Sequence, residues 1–94
     1  MFKIERSQIV KQHDPYKIII GDRYECLLEL SVEEDDDLYD EKGVMLRVIF
    51  AVEPEKSFIA KYEFLTASDN KFIALEMVEE EEAVVLDYCQ QNCQ

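Results

Sequence analysis

Apolar and polar residues alternate with a period of two through most of this chain. Over residues 24–32, Tyr24, Cys26, Leu28, Leu30 and Val32 share one parity, with Glu25, Leu27, Glu29 and Ser31 between them. Successive side chains of a strand point to opposite faces, so this spacing predicts a half-buried β-strand. The pattern returns in Val44, Leu46, Val48, Phe50 and Val52, and again in Phe58, Ala60, Tyr62 and Phe64. A shorter alternation follows over residues 72–77, and a weaker one runs through residues 2–11.

The connections favour antiparallel order. Glu53-Pro54-Glu55-Lys56 is short, and its proline cannot donate to a ladder, so strands 44–52 and 57–66 are predicted to form a hairpin. Ser68-Asp69-Asn70 is a second turn cluster. The N-terminal strand ends at His13-Asp14-Pro15, and Gly21-Asp22 separates residues 16–20 from the long strand that follows, predicting another tight hairpin. From residue 79 to residue 92 the period changes. Val85, Leu86, Cys89 and Cys93 recur at helical spacing, with Glu79, Glu80, Glu81 and Glu82 in the first turn. Each acid there complements the helix dipole by about 0.3–1 kcal/mol, less what the adjacent carboxylates lose to mutual repulsion.

These elements predict an α+β fold: a curved antiparallel β-sheet of five to six strands followed by one C-terminal helix packed on one face. A chain of 94 residues supports one hydrophobic core and not two, so residues 1–94 are read as a single domain. The second face of the sheet is not cleanly polar, since Leu27, Met45, Ile49, Ala51, Ile59 and Leu65 lie on the opposite parity. One helix covers one face. The sheet is therefore expected to curl on itself, with coverage by a partner subunit as the alternative.

Asp14-Pro15, Gly21-Asp22-Arg23-Tyr24-Glu25, the acidic loop ending in Leu38-Tyr39, and Leu46-Arg47-Val48-Ile49-Phe50 together resemble a small family of uncharacterised bacterial domains of Gram-positive spore formers. The likeness spans nearly the whole chain. It implies a bacterial cytosolic protein, and it carries over no functional residue.

Charge narrows the partners. Ten basic residues stand against 22 acidic ones, a net charge of -12. Such a field repels phosphate backbones and anionic membrane faces, so neither nucleic acid nor membrane is expected, and a basic protein partner is. No apolar run approaches the length of a membrane span, and the N-terminus has no signal-peptide core. Three cysteines without a disulfide-framework spacing fit a reducing, cytoplasmic setting. Monomer and homodimer both remain open.

Catalytic parts are missing from the pattern. His13 is the only histidine, no serine or threonine sits in a glycine-flanked elbow, and Gly21 and Gly43 cannot build a phosphate loop. Twenty-two acids guarantee some close carboxylate pair, so such a pair carries no signal. No catalytic residue and no cofactor are assigned, and the protein is expected not to be an enzyme.

Cys89 and Cys93 share a helix face and could offer two thiolates to a metal, with Cys26 and His13 to complete four ligands. No paired knuckle spacing supports this. Cys26 and Cys89 are expected to pack in the core and Cys93 to fray at the terminus, with no metal site, so that a chelator leaves the melting temperature unchanged. Glu33, Glu34, Asp35, Asp36 and Asp37 form the other candidate. An EF-hand loop starting at Asp35 would need glycine in place of Asp40 and glutamate in place of Leu46, which excludes that motif. The run is read as a solvated loop that guards a sheet edge or, functionally, as a partner-binding surface. Arg47, in a central strand, should pair with Glu29 or Glu63. Tyr24, Tyr39 and Tyr62 are expected in the core, with a ligand groove as the alternative.

The function expected from this is a small acidic, non-enzymatic interaction or regulatory domain binding a protein partner. The alternative, from another class, is a small-molecule binding module using the interior of the curved sheet.

Overall fold

A computed structural model of the chain describes residues 2–13, 16, 18 and 21–93. The turn at Asp14-Pro15 and most of the strand expected over residues 16–20 fall outside the described residues; Tyr16 and Ile18, which are described, are not in a strand.

Among the described residues, five strands form one antiparallel sheet: β1 (Lys3–Lys11), β2 (Asp22–Ser31), β3 (Val44–Val52), β4 (Ser57–Thr66) and β5 (Phe72–Ile73). Their spatial order is the order of the sequence, so the sheet is a meander with β1 and β5 as its edges. It is open. The expected closure into a barrel-like form does not occur, because β5 is only two residues long and pairs with β4 through Phe64 and Leu65 alone. The alternation predicted over residues 72–77 stops early: the Leu75 N–H turns back to the Ile73 carbonyl, and the Met77 N–H donates to the Tyr62 hydroxyl at 3.0 Å. Met77 thereby drops into the core.

The helix α1 spans Glu79–Asn92, with the bounds its periodicity predicts. It lies on one face of the sheet, where Cys26, Leu28, Leu46, Val48, Phe50 and Phe64 are fully buried together with Val85 and Cys89. Burying a side chain of the Leu, Val or Phe size contributes about 1.5–3 kcal/mol each, which makes this layer the main source of stability. The interior of the sheet is filled by these side chains. Phe2 closes one end, edge-to-face on Phe64 at 6.0 Å. Two side-chain bonds fix the helix laterally, Tyr88 to Ser7 at 2.7 Å and Gln90 to Ser57 at 3.0 Å.

A β-bulge in β4 alters the predicted parity. Lys61 stands opposite Ile49, but Ile59 stands opposite Phe50, so Ala60 is the extra residue. Tyr62 and Phe64 face the helix as expected. Beyond the bulge the sides exchange: Ile59 packs against the core, and Phe58 crosses to the open face beneath Arg23, 5.9 Å from its ring. A second bulge between Ile4 and Arg6 does the same in β1.

The open face carries Arg47 at its centre. Arg47 bonds Glu25 at 3.0 Å and Glu63 at 3.3 Å, while Glu29, one of the expected partners, pairs with Arg6 at 2.9 Å. The register explains the exchange. Arg47 lies opposite Leu27, so Glu25 and Glu29 are both diagonal neighbours, and Arg6 stands directly opposite Glu29. Leu27, Met45, Ile49 and Leu65 surround this cluster half-buried.

Candidate functional site

The loop joining β2 to β3 holds the first acidic run. It is pinned and not merely solvated, because Leu38 is buried in the core. The Asp36 carboxylate accepts the Leu38 N–H at 2.9 Å, and the Asp36 N–H donates to the Glu33 carbonyl. Such an aspartate-centred turn holds the loop against the body of the protein.

That anchoring brings two distant acidic segments together. Asp36 and Asp37 line one side of a cleft of about 310 Å³, and Glu76, Glu80 and Glu81 line the other, over Leu75 and Val78. Glu33, Glu34 and Asp35 lie in the same turn, exposed, outside the cleft lining. Only two of the five predicted partner-binding residues therefore belong to the concave surface. The acids they meet sit in the helix start and in the residue run just before it.

Leu75 and Glu76 are shared with a larger neighbouring groove of about 810 Å³. One wall of that groove is helix, with Glu79, Glu82, Ala83 and Leu86, and its floor is β4 over residues 58–63. Six consecutive residues of both parities line it, so the groove meets β4 along its edge. Because β5 pairs only with Phe64 and Leu65, the stretch of β4 from Ser57 to Glu63 has a strand partner on one side only, among the described residues. Phe72, 66% exposed, projects at the end of the groove. Tyr62 lines the groove while its hydroxyl is engaged by Met77.

The helix start at this surface is suboptimal as a helix start. Val78 occupies the N-cap position, 60% exposed, and although its carbonyl accepts the Glu82 N–H it has no side-chain oxygen with which to cap a further helix N–H. Only half of a capping box forms, from the Val78 N–H to the Glu81 carboxylate at 3.1 Å. The residues that sequence reasoning missed are Phe72, Leu75, Glu76 and Val78. Leu75 and Met77 flanking the lone acid Glu76 were their signal, absorbed by the prediction of a longer fifth strand; of that pair only Leu75 is exposed, and Met77 is buried.

Cys26 and Cys89 are buried in the core as expected, and Cys93 departs from expectation. Cys93 does not fray: it is 3% exposed, its N–H donates to the Cys89 carbonyl at 2.8 Å, and its Sγ lies 3.3 Å from that of Cys26. His13 is exposed and stands apart from the thiols. No helix among the described residues is long and apolar enough to cross a membrane. No match to the chain was found among curated proteins or solved structures. A family-wide sequence profile does match, over residues 2–94, and the chain belongs to that family, described as a family of unknown function (DUF6509).

Proposed function

We propose that this protein is a non-enzymatic docking domain that receives a basic, extended segment of a partner protein in the groove between β4 and α1. The observation that carries the reading is a free strand edge at the floor of a groove with an acidic rim. An incoming segment would add a strand to β4 through main-chain bonds, and its alternate side chains would rest on Phe72, Leu75 and Leu86. Lysines or arginines on the same segment would face Glu76, Glu79 and Glu82, with the field of the whole molecule steering the encounter. Val78, without a side-chain cap, stands in the adjoining acidic cleft and not in the groove itself, where a residue that lowers helix stability yet stays exposed fits a contact surface continuing past the groove. Acidic side chains along the rim also keep the free edge from pairing with other copies of the chain. In this reading the protein works in a bacterial cytosol, on the family resemblance and three free cysteines.

The test compares three proteins as bait in native extract: the unaltered chain, Glu79→Lys with Glu82→Lys, and Asp35→Asn as a control outside the groove. The expected result is a partner captured by the first and third, lost by the second, and released as salt rises. Hydrogen exchange on the complex should then show new protection at amides of residues 57–63. Capture that survives charge reversal, or protection confined to the face around Arg47, overturns the reading.

A further inference from the structure

Three thiols that the docking groove does not use converge beneath the end of the helix. Cys26 comes from the middle of β2, Cys89 from the last turn of α1, and Cys93 from one turn further on, at the helix C-cap. Their Sγ atoms all lie within 4.8 Å of one another, and all three side chains are buried. They belong to the same apolar core as Val48, Phe50 and Val85. Among the described residues, no carboxylate or imidazole joins the cluster. The cysteine spacing alone carries no such site, because it cannot show that β2 delivers the third sulfur.

Donor chemistry selects the ion. Calcium and magnesium take oxygen ligands, and a structural zinc takes four ligands where this site supplies three. A tetrahedral zinc with bonds of about 2.3 Å would space its sulfurs roughly 3.8 Å apart. In the ion-free protein the Cys26 and Cys93 sulfurs stand 3.3 Å apart in thiol–thiol contact, so small shifts reach either geometry and the choice of ion falls to ligand number and charge. Charge points the same way. Three thiolates around a divalent ion leave one uncompensated negative charge in an apolar core, inside a protein already at -12. Around a trivalent ion the same three thiolates give a neutral complex.

We propose that Cys26, Cys89 and Cys93 form a three-thiolate site for a soft trivalent metalloid of the arsenite class. Arsenous acid enters as the neutral trihydroxide. Each cysteine S–H exchanges with one hydroxyl: three As–S bonds form, three As–O bonds break, and the thiol protons leave on the hydroxides as water. Arsenic stays trivalent and no sulfur is oxidised, so no oxidant or reductant is consumed. Entry requires only that the last helical turn open, since Cys93 is the C-cap and is tied to the helix by its bond to the Cys89 carbonyl. Once bound, the ion staples the end of α1 to the middle of the sheet.

The experiment titrates the full reduced chain with sodium arsenite, using a phosphine reductant because dithiols would compete for the ion. Intact mass, a thiol count after denaturation, and thermal melting are read in parallel with zinc chloride. The expected result is one arsenic per chain with loss of three hydrogens, all three thiols blocked, and a raised melting temperature. Cys93→Ala should weaken arsenite binding by at least the roughly 10–100-fold that losing even an outer partner of a metal ligand costs. Cys26→Ala should do the same, and because Cys26 is fully buried its folding is checked by circular dichroism. If that variant unfolds, Cys93→Ala alone decides. Free thiols at stoichiometric arsenite, undiminished affinity in Cys93→Ala, or tighter binding of zinc than of arsenite each overturns the proposal.

Discussion

Gly21 shows how far a single residue constrains this fold. Its φ is 75°, and a Cβ there would lie 2.1 Å from the Val52 carbonyl oxygen, at the point where β2 begins beside the end of β3. Both the backbone conformation and the space exclude a side chain. Gly21→Ala is predicted to cost about 1–3 kcal/mol. Urea denaturation checks this, and an unchanged midpoint would mean that the start of β2 shifts freely. At this scale the sequence is a good guide to what a residue needs and a poor guide to which neighbour supplies it. A charge amid Leu46, Val48 and Phe50 had to be paired, and Arg47 is. That Glu25 and not Glu29 serves follows from register, and from the competing claim of Arg6 on Glu29.

Elements follow the period of their side chains closely, and α1 and β3 have the bounds that periodicity predicts. The bulges do not show in it, because Phe58, Ala60, Tyr62 and Phe64 continue an unbroken alternation while the backbone inserts Ala60 as an unpaired residue. Bulges are decided by the partner strand, which a one-dimensional pattern omits. Two predictions belong here. Val78→Ser supplies the missing cap oxygen to α1 and should raise stability by about 0.5–2 kcal/mol, seen as a higher urea midpoint at constant slope. No gain would mean that the Glu81 contact already satisfies the helix start. The second prediction concerns the end of α1 in the ion-free, reduced protein. Burial, then hydrogen bonding with Cys26, pushes the Cys93 thiol up to about 12. Hydrogen bonding with Cys89, then burial, pushes Cys26 up as well. Unfolded thiols ionise near about 8.5. Above that pH the unfolded chain releases protons that the folded chain keeps. Stability is therefore full below about pH 8.5 and falls as pH rises toward the folded value of Cys93, by up to about 1.4 kcal/mol per pH unit for each thiol. Urea midpoints across the alkaline range test this, and Cys93→Ala should show a shallower decline. An equally steep decline would assign the titration to other groups.

The whole molecule concentrates a net charge of -12 on a small body, and the fold sets Asp36 and Asp37 facing Glu76, Glu80 and Glu81 across one cleft. Each acidic run was legible in the sequence, but their meeting was not. It depends on Leu38 anchoring the loop in the core and on the turn through Leu75 that carries the chain from β5 to α1. Facing carboxylates repel, so the cleft is a place where function and stability should pull apart. Asp37→Asn and Glu80→Gln each remove one charge while leaving the Asp36 turn and the Glu81 contact intact. Asp37→Asn should stabilise the protein by a few tenths of a kcal/mol, the scale of exposed charge interactions, whereas Glu80→Gln also gives up a helix-dipole interaction of similar size and should be close to neutral. The double variant should gain less than the sum, because the second neutralisation removes a repulsion that the first has already relieved. A double-mutant cycle reads that shortfall directly. Screening over about 8 Å at physiological salt weakens the coupling, so it should shrink further as sodium chloride rises. Strict additivity at low salt would show that the two walls do not sense each other. The cleft would then be two solvated acidic segments that happen to lie near, and the docking reading would rest on the β4 edge and its own rim of Glu76, Glu79 and Glu82 alone.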